Sequence, residues 1–144
     1  MGTPYKTIYK AFSRRIEDKD LPKFTKKDQS KILLGWLDDA LAYIELEGLK
    51  IKNSFEKDDE IEEFVSNLDR NEIVLVSMYM VVAWYESKIN SLEHTLLFVT
   101  SKDEKWESQK NHLDMMMKAQ EDVRLRARKL FRGWGLNNNP YLKD

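Results

Sequence analysis

The chain has 144 residues with 24 Lys and Arg against 25 Asp and Glu, a formal net charge of −1, and only five Gly and three Pro among 42% hydrophobic residues. That balance fits one ordered, helix-rich domain over 1–144 and excludes a disordered tail or a globally basic nucleic-acid binder. The absence of cysteine excludes a disulfide framework, a zinc finger and any other thiolate metal site.

At the N-terminus, MGTPYKTIYK lacks the apolar centre of a signal peptide, and no apolar run approaches the roughly 18 residues of a membrane helix. Lys6 stands where a myristoylation signal needs Ser or Thr. The expectation is a chain made in the cytosol with neither a membrane span nor a lipid anchor. Thr3 reads as an N-cap with Pro4 at the first helical position, and Tyr5, Ile8, Tyr9, Phe12 and Ile16 recur at helical spacing, predicting a first helix over about 4–16. DKDLPKFT breaks it. Thr25 then caps a second helix, with Asp28 at its third position, running to about Glu45. Its face of Ile32, Leu33, Trp36, Leu37, Ala40, Leu41, Tyr43 and Ile44 belongs in a core.

Residues 47–67 read as a charged connection and the most exposed segment, with at most a short helix around 59–65. Asp69 and Glu72 form a capping box, and the run IVLVSMYMVVAWYESKI that follows is apolar nearly all round, which predicts a buried third helix. NSLEHTLLFVT is open between an extension of that helix beyond a kink and an extended loop; a break is expected near Asn90–Ser91. Ser101 and Glu104 make another capping box. From it a stripe of Trp106, Leu113, Met116, Met117, Val123, Ala127, Leu130, Phe131 and Trp134 continues until Gly133 and Gly135 end it, leaving 135–144 as a tail.

The fold class expected is therefore all-α, a bundle of about four helices with a long C-terminal helix. About 31 residues of helix span roughly 46 Å, more than the roughly 37 Å diameter of a compact domain of this size. The last helix should overhang its bundle and expose Leu130, Phe131, Trp134 and Leu136 as a partner surface; a kink that folds the end back is the alternative.

No motif for chemistry stands out. His94 and His112 are not in a metal-binding spacing, and KDDEIEE lacks the glycine and ligand alternation of a calcium loop. Asp38, Asp39 and Glu45 have no cleft to perturb them, and there is neither a phosphate loop nor a nucleophile elbow. No enzyme activity, cofactor or metal is expected. What does stand out is charge: Lys118, Arg124, Arg126, Arg128, Lys129 and Arg132 crowd the second half of the last helix against Glu121 and Asp122. Cations favour a helix C-terminus, but six exceed that need, and their mixing with Phe131 and Trp134 favours a protein interface.

Three blocks resemble the head-tail connector proteins (neck adaptor, head-completion) of long-tailed bacteriophages of Gram-positive hosts. They are YKTIYKAFSRRIEDKDLPKFTKKDQSKILLGWLDDALAYI, LDRNEIVLVSMYMVVAWYESKIN and TLLFVTSKDEKWESQKNHLDMMMKAQEDVRLRARKLF, together about seven tenths of the chain. The resemblance implies a structural virion protein of the neck, synthesised in the host cytoplasm. It would assemble as a homo-oligomeric ring, commonly twelvefold, under the portal protein, extend the DNA channel, and carry a tail-side neck or tail-completion protein. It assigns Arg126, Lys129, Leu130, Phe131 and Trp134 to portal docking, and Lys50, Lys52 and Asn53 to a loop facing the channel, through which DNA passes without base-specific contact. The strongly basic last helix and the NNNPYLKD tail depart from many relatives. A small helical regulator that binds nucleic acid through the basic last helix is the alternative.

Overall fold

The structure, a computed structural model, describes residues 2–18, 20–48, 53–96 and 104–138, with side chains of the last helix described over 106–131. Among the described residues the chain forms four α-helices: α1 (Tyr5–Ser13), α2 (Lys26–Leu46), α3 (Arg70–Leu96) and α4 (Glu104–Asn138). A 3-10 turn at Leu21–Lys23 and a two-stranded hairpin, β1 (Lys57–Asp58) with β2 (Glu63–Phe64), complete it. The described residues form an all-α bundle with a small β-hairpin.

α3 is the axis. Leu75 to Trp84 is an unbroken buried run, because a helix apolar on every side is stable only when neighbours cover every side. α1, α2 and α4 supply that cover. α1 contributes Tyr5, Ile8 and Phe12, one face at helical spacing, and α2 contributes Leu37, Ala40 and Ile44. Phe12 meets Trp36 of α2 at 5.6 Å between ring centroids.

Helix starts follow the sequence where a side chain can cap. Thr25 Oγ1 accepts the Asp28 amide at 3.2 Å. At α3 the Glu72 amide donates to Asp69 Oδ1 at 2.9 Å, and the Asp69 amide donates to Glu72 Oε1 at 3.0 Å, closing the expected capping box. α1 differs: Pro4, not Thr3, holds the N-cap position. Thr3 is buried and serves the tertiary structure instead, its hydroxyl accepting the Leu68 amide at 2.9 Å and its carbonyl the Phe64 amide at 2.8 Å. α1 also ends at Ser13, about a turn before the expected Ile16, although Ile16 still packs against the core.

The larger correction concerns the connection. Rather than an open segment with a short helix over 59–65, it holds the hairpin, with Lys57 opposite Phe64 and Asp58 opposite Glu63. Phe64 is fully buried, edge-on to Tyr5 at 5.4 Å and to Phe55 at 6.2 Å. Pro4 bridges to Glu63 as a third edge, and Gly2 lies so close to the Phe64 carbonyl that a side chain there would collide with it.

α3 passes through Asn90–Ser91 without the expected break, its register held by Ile89 in the core and by the Thr95 hydroxyl donating to the Ser91 carbonyl at 2.9 Å. α4 runs through Gly133 and Gly135 and has 35 residues, about 52 Å of helix. Gln120 Nε2 reaches the Val82 carbonyl (3.2 Å) and Glu86 (2.7 Å), while Arg128 lies beside Tyr79, so α4 runs antiparallel to α3. From that register only about one turn of α4 extends past the start of α3. The expected overhang with Leu130 and Phe131 laid open is thus corrected: both are half-buried against the core.

Candidate interaction surface

The basic cluster of α4 divides in two. Arg128 Nη2 and Nε reach Glu47 at 3.0 and 3.3 Å, and Arg124 lies 4.0 Å from the same carboxylate, with its guanidinium 5.9 Å from the centre of the Tyr43 ring. Glu47 closes the C-terminal end of α2, where Gly48 adopts φ 66° to turn the chain away. The same carboxylate accepts the hydroxyl of Tyr79, whose side chain is fully buried in α3. Burial pushes the Glu47 carboxyl up, but the bonds from Arg128 and Tyr79 outweigh it and hold it below the ordinary carboxylate range. These two arginines therefore lock α2, α3 and α4 together. That use was hidden in the sequence because Glu47 stands 77 and 81 positions from them.

Lys118, Arg126 and Lys129 are exposed and have no ion pair among the described residues. With Met115, Asp122 and Leu125 they recur at intervals of three and four along the helix, a stripe centred away from the buried Ala127, with Arg126 at its edge beside Val123. This outer stripe is neither plainly polar nor plainly core: Met115 is 69% exposed and Leu125 44%. Met117 is also open to solvent.

A second basic feature is one that inspection of the sequence did not find. The C-terminal half of α1 and the first turns of α3 enclose an open groove of about 790 Å³, lined by Lys10, Arg14, Arg15 and Arg70 over Ala11, Ile73 and Val74. It continues into a hollow of about 420 Å³, where Arg14 and Arg15 meet Arg126 beside Val81 and Tyr85. No carboxylate lines either one. Arg15 is partly committed, its Nε donating to the buried Ser77 hydroxyl at 3.1 Å.

Of the residues expected to dock, then, Arg126 and Lys129 are surface cations, and Leu130 and Phe131 belong mainly to the core seam. The Trp134 side chain lies outside the described residues, as do Lys50 and Lys52 and the Ser101 end of the capping box proposed for α4. Asn53 is half-buried and tied to the first turn of α3: its amide and Nδ2 donate to Glu72 at 3.0 and 2.5 Å. Its backbone amide and one side-chain N–H are thus committed to Glu72 within the chain.

The acids have structural employment too. Lys57 bridges Asp38 (2.8 Å) and Asp59 (2.6 Å), and Asp59 accepts the Tyr5 hydroxyl at 2.5 Å. Asp18 accepts the Trp84 indole N–H at 2.8 Å and the amides of Asp20 and Leu21. Among the described residues no three His, Asp or Glu side chains are grouped to hold a metal ion, and no helix is long and apolar enough to cross a membrane. The arrangement defines a helical bundle whose distinctive surfaces are cationic and semi-apolar. Comparisons with protein families, curated proteins and solved structures gave no match.

Proposed function

We propose that this chain is a structural protein of the phage neck: a ring subunit that sits under the portal, extends the DNA channel and carries the next neck or tail-completion protein. The three sequence blocks support the family, and the helical bundle agrees with what that family implies for the fold. The observation that carries the reading furthest is the outer stripe of α4. Exposed Met115 and Leu125 sit among Lys118, Arg126 and Lys129, which have no carboxylate partner among the described residues. Arginine and methionine with flanking charge make a surface suited to a protein partner, and here it lies on a rigid rod braced along α3. Portal docking is accordingly assigned to Arg126 and Lys129, with Met115 and Leu125 added and Leu130 and Phe131 positioning the helix from behind.

The nucleic-acid regulator loses ground on a specific count: Arg124 and Arg128 are already bound to Glu47, so the helix offers phosphates fewer cations than its sequence suggests. The experiment is to measure binding of the purified chain to its portal ring and to duplex DNA over a range of salt. The neck reading predicts portal binding weakened more than tenfold by Arg126→Glu with Lys129→Glu, which corresponds to about 1.4 kcal/mol, and only weak DNA binding. Tight duplex binding that falls steeply with salt, without portal binding, would favour the regulator.

A further inference from the structure

The groove between α1 and α3 has two characters at once. Its rim is cationic, with Lys10, Arg14 and Arg70 unpaired among the described residues, while its floor of Ala11, Ile73 and Val74 is apolar. A phosphate backbone would use the rim and leave the floor bare. A partner that matches both needs a carboxylate cluster built around an aliphatic side chain.

The chain itself carries such a feature. The turn between β1 and β2 is Asp59-Glu60-Ile61-Glu62, flanked by Asp58 and Glu63. Ile61 at its tip is 63% exposed, between the exposed Glu60 and Glu62. Asp59 is neutralised within the chain by Lys57, but Glu60 and Glu62 make no ion pair among the described residues. Glu62 holds φ 53°, a left-handed conformation that costs a side-chain-bearing residue free energy and presents the tip in one fixed shape. Backbone bonds anchor the hairpin at the start of α1, Tyr5 donating to the Glu62 carbonyl at 2.9 Å and Phe64 to Thr3 at 2.8 Å. In one and the same copy, then, the tip stands in solvent and the groove is open.

We infer that the hairpin tip of one copy seats in the α1/α3 groove of the next, Ile61 against Ala11, Ile73 and Val74, with Glu60 and Glu62 facing Lys10, Arg14 and Arg70. Two different patches of one chain meet in this contact, so it is heterologous: repeated, it propagates head to tail and closes into a ring when the rotation allows. It also accounts for a chain of nearly zero net charge that keeps its charges apart, since opposite patches meet only between copies. The inference deepens the ring reading, and rests on it only for closure of the ring.

The absence of cysteine makes a direct test clean, because every disulfide then reports an introduced pair. A chain carrying Ile61→Cys and Val74→Cys, oxidised mildly at low ionic strength, should give a ladder of covalent dimers, trimers and longer species. Each single variant alone should stop at dimers, and the two singles mixed should give one heterodimer band. Glu60→Lys with Glu62→Lys should abolish the ladder, and adding Arg14→Glu with Arg70→Glu to that protein should restore it; far-UV circular dichroism checks that each variant is folded. A ladder no stronger than that of a control pair, Ile61→Cys with Ser108→Cys, overturns the contact. So does duplex DNA binding through the groove at physiological salt with no ladder. Portal attachment, measured separately, keeps the two readings apart: attachment without a ladder removes only this contact, whereas a ladder without attachment removes only the neck assignment.

Discussion

Replacing Glu47 tests whether the basic helix is fastened to its own bundle. In Glu47→Gln an amide oxygen still accepts the Tyr79 hydroxyl, and only the charge is lost. A charge-assisted hydrogen bond exceeds a neutral one by about 1 kcal/mol. Arg128 is at the surface and its share is screened, so the loss should stay near that figure. Glu47→Leu removes the acceptor altogether and strands a hydroxyl on a fully buried tyrosine, a further cost of about 1–3 kcal/mol. For a chain of this length each kcal/mol lowers Tm by roughly 3 °C, so Gln and Leu should separate clearly in urea titrations followed by tryptophan fluorescence with an unchanged m-value. The pH profile gives the sign independently. The Glu47 carboxyl is held below its ordinary value near 4.5, so its contribution is complete above that pH and is lost as pH falls through the folded value. Glu47→Gln should therefore narrow the gap to wild type in acid. Equal stability of wild type and Glu47→Leu, or an acid limb unchanged in Glu47→Gln, would refute the clamp.

Other outcomes follow from single sites. Gly35 is exposed in the middle of α2 and a methyl group there meets nothing, so Gly35→Ala should raise stability by about 1 kcal/mol, read as a higher urea midpoint. Phe64→Ala empties the hairpin's anchor and should cost about 3–5 kcal/mol, with faster exchange of the backbone amides at position 64 and at Leu68, which bond to Thr3. Asp18→Ala removes the acceptor of the Trp84 indole; it should shift the tryptophan emission and destabilise the joint between α1 and α3, and an unchanged spectrum would count against that bond.

What the sequence made legible was whatever rests on local periodicity. α3 was readable because a helix apolar on all sides can only be central, and its start because Asp69 and Glu72 stand three apart. The hairpin was not. Its strands are two residues each, Phe64 is hidden among acids, and the left-handed turn position is filled by Glu62 where glycine or asparagine would have signalled it. Asn90 and Ser91 looked like a stop, yet Ile89 and Leu92 keep the helical spacing on either side, and packing outweighed a weak local preference. The candidate surface was half legible. Six cations in the second half of one helix were plain to see, but which were spent on Glu47, and which joined Arg14 and Arg15 in a hollow, depends on contacts between residues far apart in the chain.

The neck assignment is tested most directly by electron cryo-microscopy of portal-bearing capsids mixed with the purified chain. The account predicts one added ring of density beneath the portal, with the outer stripe of α4 at the contact and Arg126 and Lys129 facing it. A portal left bare at saturating protein would contradict it.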